Sequence, residues 1–115
     1  MYLTSGSYAA PTRPNENRRH PRILFTVPIQ IHHLVPGGIK TSHGISLDLS
    51  QCGLGALIEG RLTVGEAVEI DFPLRGSPLT TVAIVRHSSA TQSGFEFLGL
   101  TEEECQQIAR VIGGS

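Results

Sequence analysis

The stretch LFTVPIQI, at residues 24–31, sets the fold class of this chain. From Phe25 to Ile31 its apolar residues fall at every second position. A period of two is typical of a β-strand with one buried face. Pro28 has no N–H to donate, which indicates a sheet edge or a bulge at that point. The stretch is therefore predicted to form a half-buried strand.

Similar alternation continues along the chain between turns that contain Gly and Pro. The second predicted strand runs from Ile39 to Leu49, with Ile45, Leu47 and Leu49 on its apolar face, and pairs with the first strand as a hairpin. Four more strands are predicted at residues 54–58, 68–72, 80–87 and 94–98, with a loop at residues 73–78.

The C-terminal residues carry the signature of a helix. Thr101 and Glu104 have the spacing of a capping box. An apolar stripe is expected to follow, made of Cys105, Ile108, Ala109 and Ile112. Six short strands and one helix predict a mainly β fold, a six-stranded antiparallel β-barrel with one C-terminal α-helix.

Composition and charge set the domain organisation. The 115 residues suffice for one domain, predicted at residues 17–115 behind a disordered leader at residues 1–16. The net charge is -1, yet residues 1–22 carry +3 and the remainder -4. A basic segment on an acidic body favours a compact anionic ligand over a long nucleic acid, so no nucleic-acid partner is expected.

Cellular location is predicted from cysteine usage and hydropathy. Cys52 and Cys105 are far apart in the sequence, which favours free thiols in a reducing compartment. No apolar run approaches the length of a membrane span, and the N-terminus lacks the apolar region of a secretory signal. We expect a cytoplasmic protein without membrane insertion.

Two short motifs are candidates for ligand binding. The first, NRRHPR at residues 17–22, concentrates the guanidiniums of Arg18, Arg19 and Arg22 just before the first strand. The second, DLSQCG at residues 48–53, follows the second strand. A guanidinium offers a planar donor fork that fits a phosphate or the edge of guanine.

In the second motif, Asp48 and Ser50 are two residues apart and are expected to share a face that points away from the core. Gly53 permits a positive φ and a sharp bend. Simpler interpretations exist for both motifs. The arginines could form a solvated basic patch, and Asp48 and Ser50 could cap a turn through local hydrogen bonds.

The two motifs, in this order and on this pattern of strands and helix, resemble those of the PilZ domain family. The segment GFEFLGL at residues 94–100 and the closing helix are also similar to the C-terminal part of that family, and the resemblance covers roughly residues 17–112. It implies a six-stranded barrel that binds cyclic di-GMP and catalyses no reaction, with no cofactor.

The resemblance also implies a role for each motif residue. Arg18 and Arg22 would grip phosphate oxygens and the guanine O6/N7 edge, with Arg19 as a further phosphate contact. Asp48 would accept from guanine N1–H and the amino group, and Ser50 would add a hydroxyl contact. Gly53 would let the backbone approach the ligand. Asn17, which precedes the first arginine, leaves open whether one ligand or a stacked pair binds.

The implied mechanism is a switch in which ligand orders the segment around residues 13–22, here called the arm, over the barrel. The resulting surface would be read by an unidentified partner protein. The principal alternative is a PilZ-like adaptor for pilus, flagellar or exopolysaccharide machinery that binds no nucleotide. Such adaptors usually lack the motif arginines, which this chain retains. Binding of nucleic acid through the arm ranks behind both.

Two other classes of site, a metal site and a hydrolase site, are less consistent with the sequence. The candidate metal ligands are the histidines and one thiol: His32, His33, His43, His87 and Cys52. Adjacent His32 and His33 point to opposite faces of a strand and cannot easily chelate one ion together, so no metal site is predicted. A hydrolase built on Asp48, Ser50 and a His lacks the Gly-x-Ser-x-Gly elbow, so no catalytic residue is predicted.

Overall fold

The computed structural model describes residues 21–113, and these form a closed β-barrel with one helix. Seven strands precede the helix, and their bounds are as follows: β1 Ile23–Leu24, β2 Pro28–Val35, β3 Gly38–Leu49, β4 Gly53–Ile58, β5 Ala67–Leu74, β6 Ser77–Ser88 and β7 Gln92–Leu98. The helix α1 spans Glu102–Ile112. The mainly β fold with one C-terminal helix, as predicted, is confirmed.

All strand pairs are antiparallel, and six strands close the barrel in the order β3-β2-β5-β6-β7-β4. The closing pair is β3–β4, in which Leu49 lies opposite Leu54. Strand β1 lies outside this ring and pairs with the end of β3, where Ile23 faces Leu49 and Leu24 faces Asp48. This pairing brings the start of the described chain to the junction between β3 and β4.

The first predicted strand is interrupted. Its first residue, Leu24, belongs to β1, and the longer β2 begins only at Pro28. A buried side chain, that of Ser46, spans the break: its hydroxyl donates to the carbonyl of Phe25 and accepts from Val27 N–H at 2.9 Å. Pro28 indicated an irregularity in the sheet at this point, and the structure contains one.

The predicted apolar face of the second strand is wrong at Ile45. This side chain is 48% exposed, whereas Ser46 is fully buried. The β3–β4 register shifts between Ser46 and Asp48, as at a β-bulge, and Leu49 beyond the shift is buried. An extra residue in one strand exchanges inward and outward positions, which strict alternation cannot anticipate.

The strand ends also differ from the predicted ones. Residues 73–78 were expected to form a loop, but Pro73 pairs with Pro78 and Leu74 with Ser77. The connection is therefore a tight turn at Arg75 and Gly76, and Gly76 has φ of 71°. Proline is tolerated in paired strands when its missing N–H faces away from the ladder, which explains why it did not end these strands.

The barrel core consists of aliphatic side chains and three buried phenylalanines, Phe72, Phe95 and Phe97. Phe72 on β5 stacks on Phe97 of β7 with ring centroids 5.9 Å apart and meets the edge of half-buried Phe25 at 6.2 Å. Helix α1 adds Ile108 and Val111 to this core. Phe25 thus ties the chain just after β1 to the packed interior.

The capping box is confirmed, but the predicted apolar stripe is wrong at one end. Thr101 accepts from the Glu104 N–H at 3.1 Å, and the Glu104 carboxylate accepts from the Thr101 N–H at 3.0 Å. Cys105 is exposed, whereas Val111, outside the predicted stripe, is buried. The helix is rotated so that Ile108 and Val111, an i, i+3 pair, face the barrel.

With 11 residues, α1 is well short of the roughly 20 that a bilayer span requires.

Candidate functional site

The described end of the first predicted motif, Arg22, meets the second motif at the junction of β1, β3 and β4. Arg22 immediately precedes β1, and Asp48 lies near the end of β3. The Arg22 Nη1 atom is 2.6 Å from Asp48 Oδ1, across 26 residues of sequence. Both side chains are partly exposed, at 42% and 35%, so this ion pair remains open to solvent. Arg18 and Arg19, also predicted site residues, lie outside the described residues.

A neighbouring strand fixes the Asp48 carboxylate. The backbone N–H of Gly55 on β4 donates to Asp48 Oδ1 at 3.1 Å. A Cβ atom at position 55 would lie only 3.0 Å from that oxygen, so a larger residue would push the carboxylate away. Gly55 is thus a positioning residue for Asp48. No local sequence feature predicts this role, because nothing in the sequence of β4 marks which of its residues faces Asp48.

The predicted exposed face shared by Asp48 and Ser50 is not formed. Ser50 lies beyond the end of β3 and is only 2% exposed. Its hydroxyl accepts from the N–H groups of Cys52 and Gly53, both at 3.1 Å. The interpretation of Ser50 as a turn-forming side chain is therefore confirmed, and its hydroxyl organises the β3–β4 turn.

Gly53 is required for close packing and not for a left-handed backbone. It is absent from the glycines of positive φ in residues 21–113, so the predicted positive φ is wrong. A Cβ atom here would lie 2.1 Å from the carbonyl oxygen of Phe95 on β7. The adjacent Cys52 carbonyl accepts from Phe97 N–H at 2.7 Å. The turn is therefore held directly against β7.

A cleft of about 240 Å³ lies between Arg22, the β3–β4 turn and strands β6 and β7. Its lining residues are Arg22, Cys52, Gly53, Arg86, His87, Gly94, Phe95 and Glu96. Arg86 Nε contacts Glu96 Oε1 at 2.5 Å across the β6–β7 pair. Arg86 thus adds a second guanidinium to the cleft, on the side of the turn that faces β7. Glu96 adds one carboxylate.

Arg86, His87 and Glu96 were not predicted to belong to the site. They join it through strand register, since Ile84 faces Glu96 and His87 faces Gly94 across β6–β7, with a register shift between Val85 and His87. The His87 ring occupies the space above Gly94, where a Cβ atom would lie 2.1 Å from Nε2. Sequence alternation identifies strands but not which residues of distant strands stand side by side.

The thiol of Cys52 reports on the electrostatics of this cleft. Desolvation by burial raises the pKa of Cys52, the negative charge of Glu96 raises it further, and the positive charge of Arg22 opposes both. The net pKa is above the usual value for a thiol. The charges of Glu96 and Arg22 therefore both act on the Cys52 thiol in this cleft.

Comparison with known proteins identifies the family. The family model described as PilZ domain matches residues 16–114. This chain belongs to the PilZ domain family. The match includes both motifs, so the resemblance inferred from residues 17–22 and 48–53 is confirmed.

Solved PilZ domains have the same fold. The PilZ domain of YcgR from Escherichia coli, solved with c-di-GMP, is 21% identical with a TM-score of 0.71, covering 86% of this chain and 91% of that one. The PilZ domain of CeSA from a cellulose-synthesizing bacterium is 21% identical with a TM-score of 0.67, covering 82% and 96%.

A third structure, the Bacillus subtilis inhibitor of motility MotI (DgrA), is 18% identical with a TM-score of 0.66. The alignment covers 84% of this chain but 49% of that one, so the PilZ domain here corresponds to about half of MotI. A search of the curated proteins gave no match. At these identities the structural likeness establishes the barrel, and the ligand must be argued from the site.

Proposed function

We propose that this PilZ domain is a receptor for cyclic di-GMP that works by binding and not by catalysis. The observation that carries the proposal is the contact between Arg22 and Asp48, which joins the two motifs in space. The family match supports the choice of ligand, as does the YcgR PilZ domain, whose structure was solved with c-di-GMP. The ligand combines two phosphates with two guanines, so its recognition calls for both cations and an acceptor.

The cations would bind the anionic and acceptor groups of the ligand. One nitrogen of Arg22 contacts Asp48, and the rest of its five-donor fork can face a phosphate or the guanine O6/N7 edge. Arg18 would bind in the same way, with Arg19 as a further phosphate contact. Arg86, on the opposite wall of the cleft, is a fourth candidate cation that the sequence did not suggest.

The Asp48 carboxylate would select guanine. Both of its contacts, from Arg22 and from Gly55 N–H, arrive at Oδ1. The second oxygen would accept from guanine N1–H or the amino group, which adenine does not present in this arrangement. Ser50 and Gly53 would support the site indirectly, because Ser50 shapes the turn and Gly53 allows it to pack on Phe95.

Binding would couple the arm to the barrel. A ligand held by Arg18, Arg19 and Arg22 on one side and by Asp48 on the other ties residues 13–22 to the β3–β4 turn. The surface formed in this way would be read by a partner protein.

Two exposed free thiols, Cys52 and Cys105, fit a reducing compartment such as the cytoplasm.

Isothermal calorimetry on Arg22→Ala tests the proposal. Charge-assisted hydrogen bonds contribute about 1.5–3 kcal/mol, so the affinity for cyclic di-GMP should fall at least about tenfold. Arg18→Ala should behave in the same way. Arg61→Ala is the matched control, because Arg61 lies beyond the opposite end of β4, and it should bind as wild type does.

Thermal unfolding gives an independent readout of the same binding. Cyclic di-GMP at a hundred times its dissociation constant should stabilise the wild type by about 2.7 kcal/mol, whereas cyclic di-AMP and GTP should stabilise it much less. Undiminished binding in both Arg18→Ala and Arg22→Ala would refute the assigned site. A well-folded wild type that does not respond to cyclic di-GMP would instead favour the adaptor that binds no nucleotide.

A further inference from the structure

A second polar cluster lies on the outer face of the barrel, where β2 pairs with β5. His32 on β2 stands directly opposite Glu69 on β5, and Asp71 follows two residues later on the same face. Their inward neighbours, Ile31 and Ile70, are fully buried, which fixes the three polar side chains on the outside. The cluster shares no residue with the cleft at the β3–β4 turn.

The geometry of the three side chains suits a small cation. One ligand atom from each of His32, Glu69 and Asp71 lies within 4.8 Å of the other two. In a tetrahedral zinc site with metal–ligand distances of about 2.0–2.2 Å, ligand atoms are separated by about 3.3–3.6 Å. To reach that spacing, His32 Nε2 and Asp71 Oδ2, which are 2.7 Å apart, would have to separate slightly, and the exposed Glu69 side chain would rotate toward them.

Contacts from flanking strands hold two of the three ligands in place. His32 Nδ1 lies 2.9 Å from the hydroxyl of Thr41, and Thr80 donates to Asp71 Oδ1 at 2.8 Å. The opposite atoms of these ligands, His32 Nε2 and Asp71 Oδ2, lie 2.7 Å apart and face the same point. Partners of this kind orient the ligands of protein metal sites.

The Thr41 hydroxyl can serve either tautomer of His32. It donates to Nδ1 when Nε2 carries the proton and bonds Asp71, and it accepts from Nδ1–H when Nε2 is free to ligate. A cation could therefore replace the proton between His32 and Asp71 without breaking the outer hydrogen bond. A hydrogen-bonded pair of His32 and Asp71 would not need the Glu69 carboxylate, which makes no hydrogen bond or ion pair to another residue of 21–113.

We propose that His32 Nε2, Glu69 and Asp71 form a binding site for a divalent transition-metal ion, with Zn²⁺ the best match. One imidazole and two carboxylates are ligands that Zn²⁺ accepts, and the two carboxylates balance its charge. Water fills the remaining position. The ion would clamp β2 to β5, since one ligand comes from the first strand and two from the second.

The proposed ligands could not be identified from the spacing of the histidines and Cys52 in the sequence. Adjacent His32 and His33 point to opposite faces of β2, so they do not form a ligand pair. The carboxylates lie 37 and 39 residues after His32 in the sequence, on another strand. Only the β2–β5 register brings them together.

Calorimetric titration of Zn²⁺ into untagged protein tests this site. Both cysteines are changed to Ser throughout, because thiols would otherwise compete for zinc. We expect one ion per chain, and affinity at least about tenfold lower in His32→Ala and in Glu69→Gln. Thr41→Val, which removes an orienting hydroxyl, should also weaken binding about tenfold or more.

Two matched variants serve as controls. His43→Ala removes an exposed histidine from β3, and Glu103→Gln removes an exposed carboxylate from α1. Both should bind Zn²⁺ within twofold of the parent. Thermal melts in EDTA should show every variant folded, and Zn²⁺ should raise the melting temperature of the parent but not that of His32→Ala.

Three results would overturn the proposal. The first is the absence of saturable 1:1 binding in the parent protein. The second is equal weakening in His43→Ala and His32→Ala, which would indicate adventitious binding only. The third is undiminished binding in Glu69→Gln, which would exclude a three-ligand site. None of these results depends on whether cyclic di-GMP binds.

Discussion

At the scale of single residues, the site depends on positions where the backbone comes unusually close to a neighbour. Gly53 and Gly55 both lie on β4, yet they serve different purposes: Gly53 lets β4 pack on β7, and Gly55 makes room for the Asp48 carboxylate. Neither has a positive φ. Their requirement comes from tertiary contacts, and a sequence motif alone cannot distinguish the two roles.

Gly53→Ala should destabilise the fold. The new Cβ would lie 2.1 Å from a backbone oxygen of β7, so one of the two strands must shift. Overpacking of this kind typically costs about 1–3 kcal/mol, which chemical denaturation can measure. Gly113→Ala is the control: its φ of -76° suits Ala, and its nearest contact, to Ala109 O at 3.2 Å, is far less severe, so it should cost clearly less than Gly53→Ala. Equal stability of the two variants would contradict the packing role of Gly53.

The charges around Cys52 predict how its reactivity depends on pH. Iodoacetamide reacts with the thiolate, so the midpoint of the alkylation rate against pH reports the pKa. In a Cys105→Ser background, Glu96→Gln removes a negative charge and should move the midpoint to lower pH. Arg22→Ala removes a positive charge and should move it to higher pH. Shifts of the same sign in both variants would contradict this electrostatic arrangement of the cleft.

At the scale of elements, local sequence rules succeeded where an element is determined by its own residues. The capping box of α1 and the paired strands of the β2–β3 hairpin were both predicted correctly. The rules failed where a neighbouring element decides the outcome. Ile45 faces outward because of the bulge that follows Ser46, and Cys105 is exposed because α1 docks through Ile108 and Val111.

The capping box gives a prediction for α1. Thr101→Ala removes the oxygen that accepts from Glu104 N–H, and it should lower the free energy of unfolding by about 1 kcal/mol. Glu103→Gln changes a charge in the same turn without touching the box, and should cost a few tenths of a kcal/mol at most. Urea denaturation of both variants would compare them, and an equal loss would argue against the cap.

At the scale of the whole molecule, barrel closure brings the candidate site together. The β1–β3 pairing delivers Arg22 to Asp48, and the β4–β7 pairing adds the wall that carries Arg86 and Glu96. The sequence predicted the motif residues through their resemblance to the family. It could not predict the β6–β7 wall, Gly55 or the His32 cluster, because each depends on register between strands that are distant in sequence.

The proposed receptor function also makes a prediction at this scale. A ligand that bridges the arm and the β3–β4 turn should change the dynamics of those two segments together and leave the far side of the barrel unaltered. Strands β2 and β5 carry the His32 cluster and line no part of the cleft, so they provide an internal reference.

Hydrogen exchange with saturating cyclic di-GMP, measured by mass spectrometry on the full chain, tests this claim most directly. The account predicts slower exchange in peptides that cover residues 16–24 and 48–55, with residues 30–43 unchanged. Tight binding that protects only residues 30–43, or that leaves both motif segments unprotected, would contradict it.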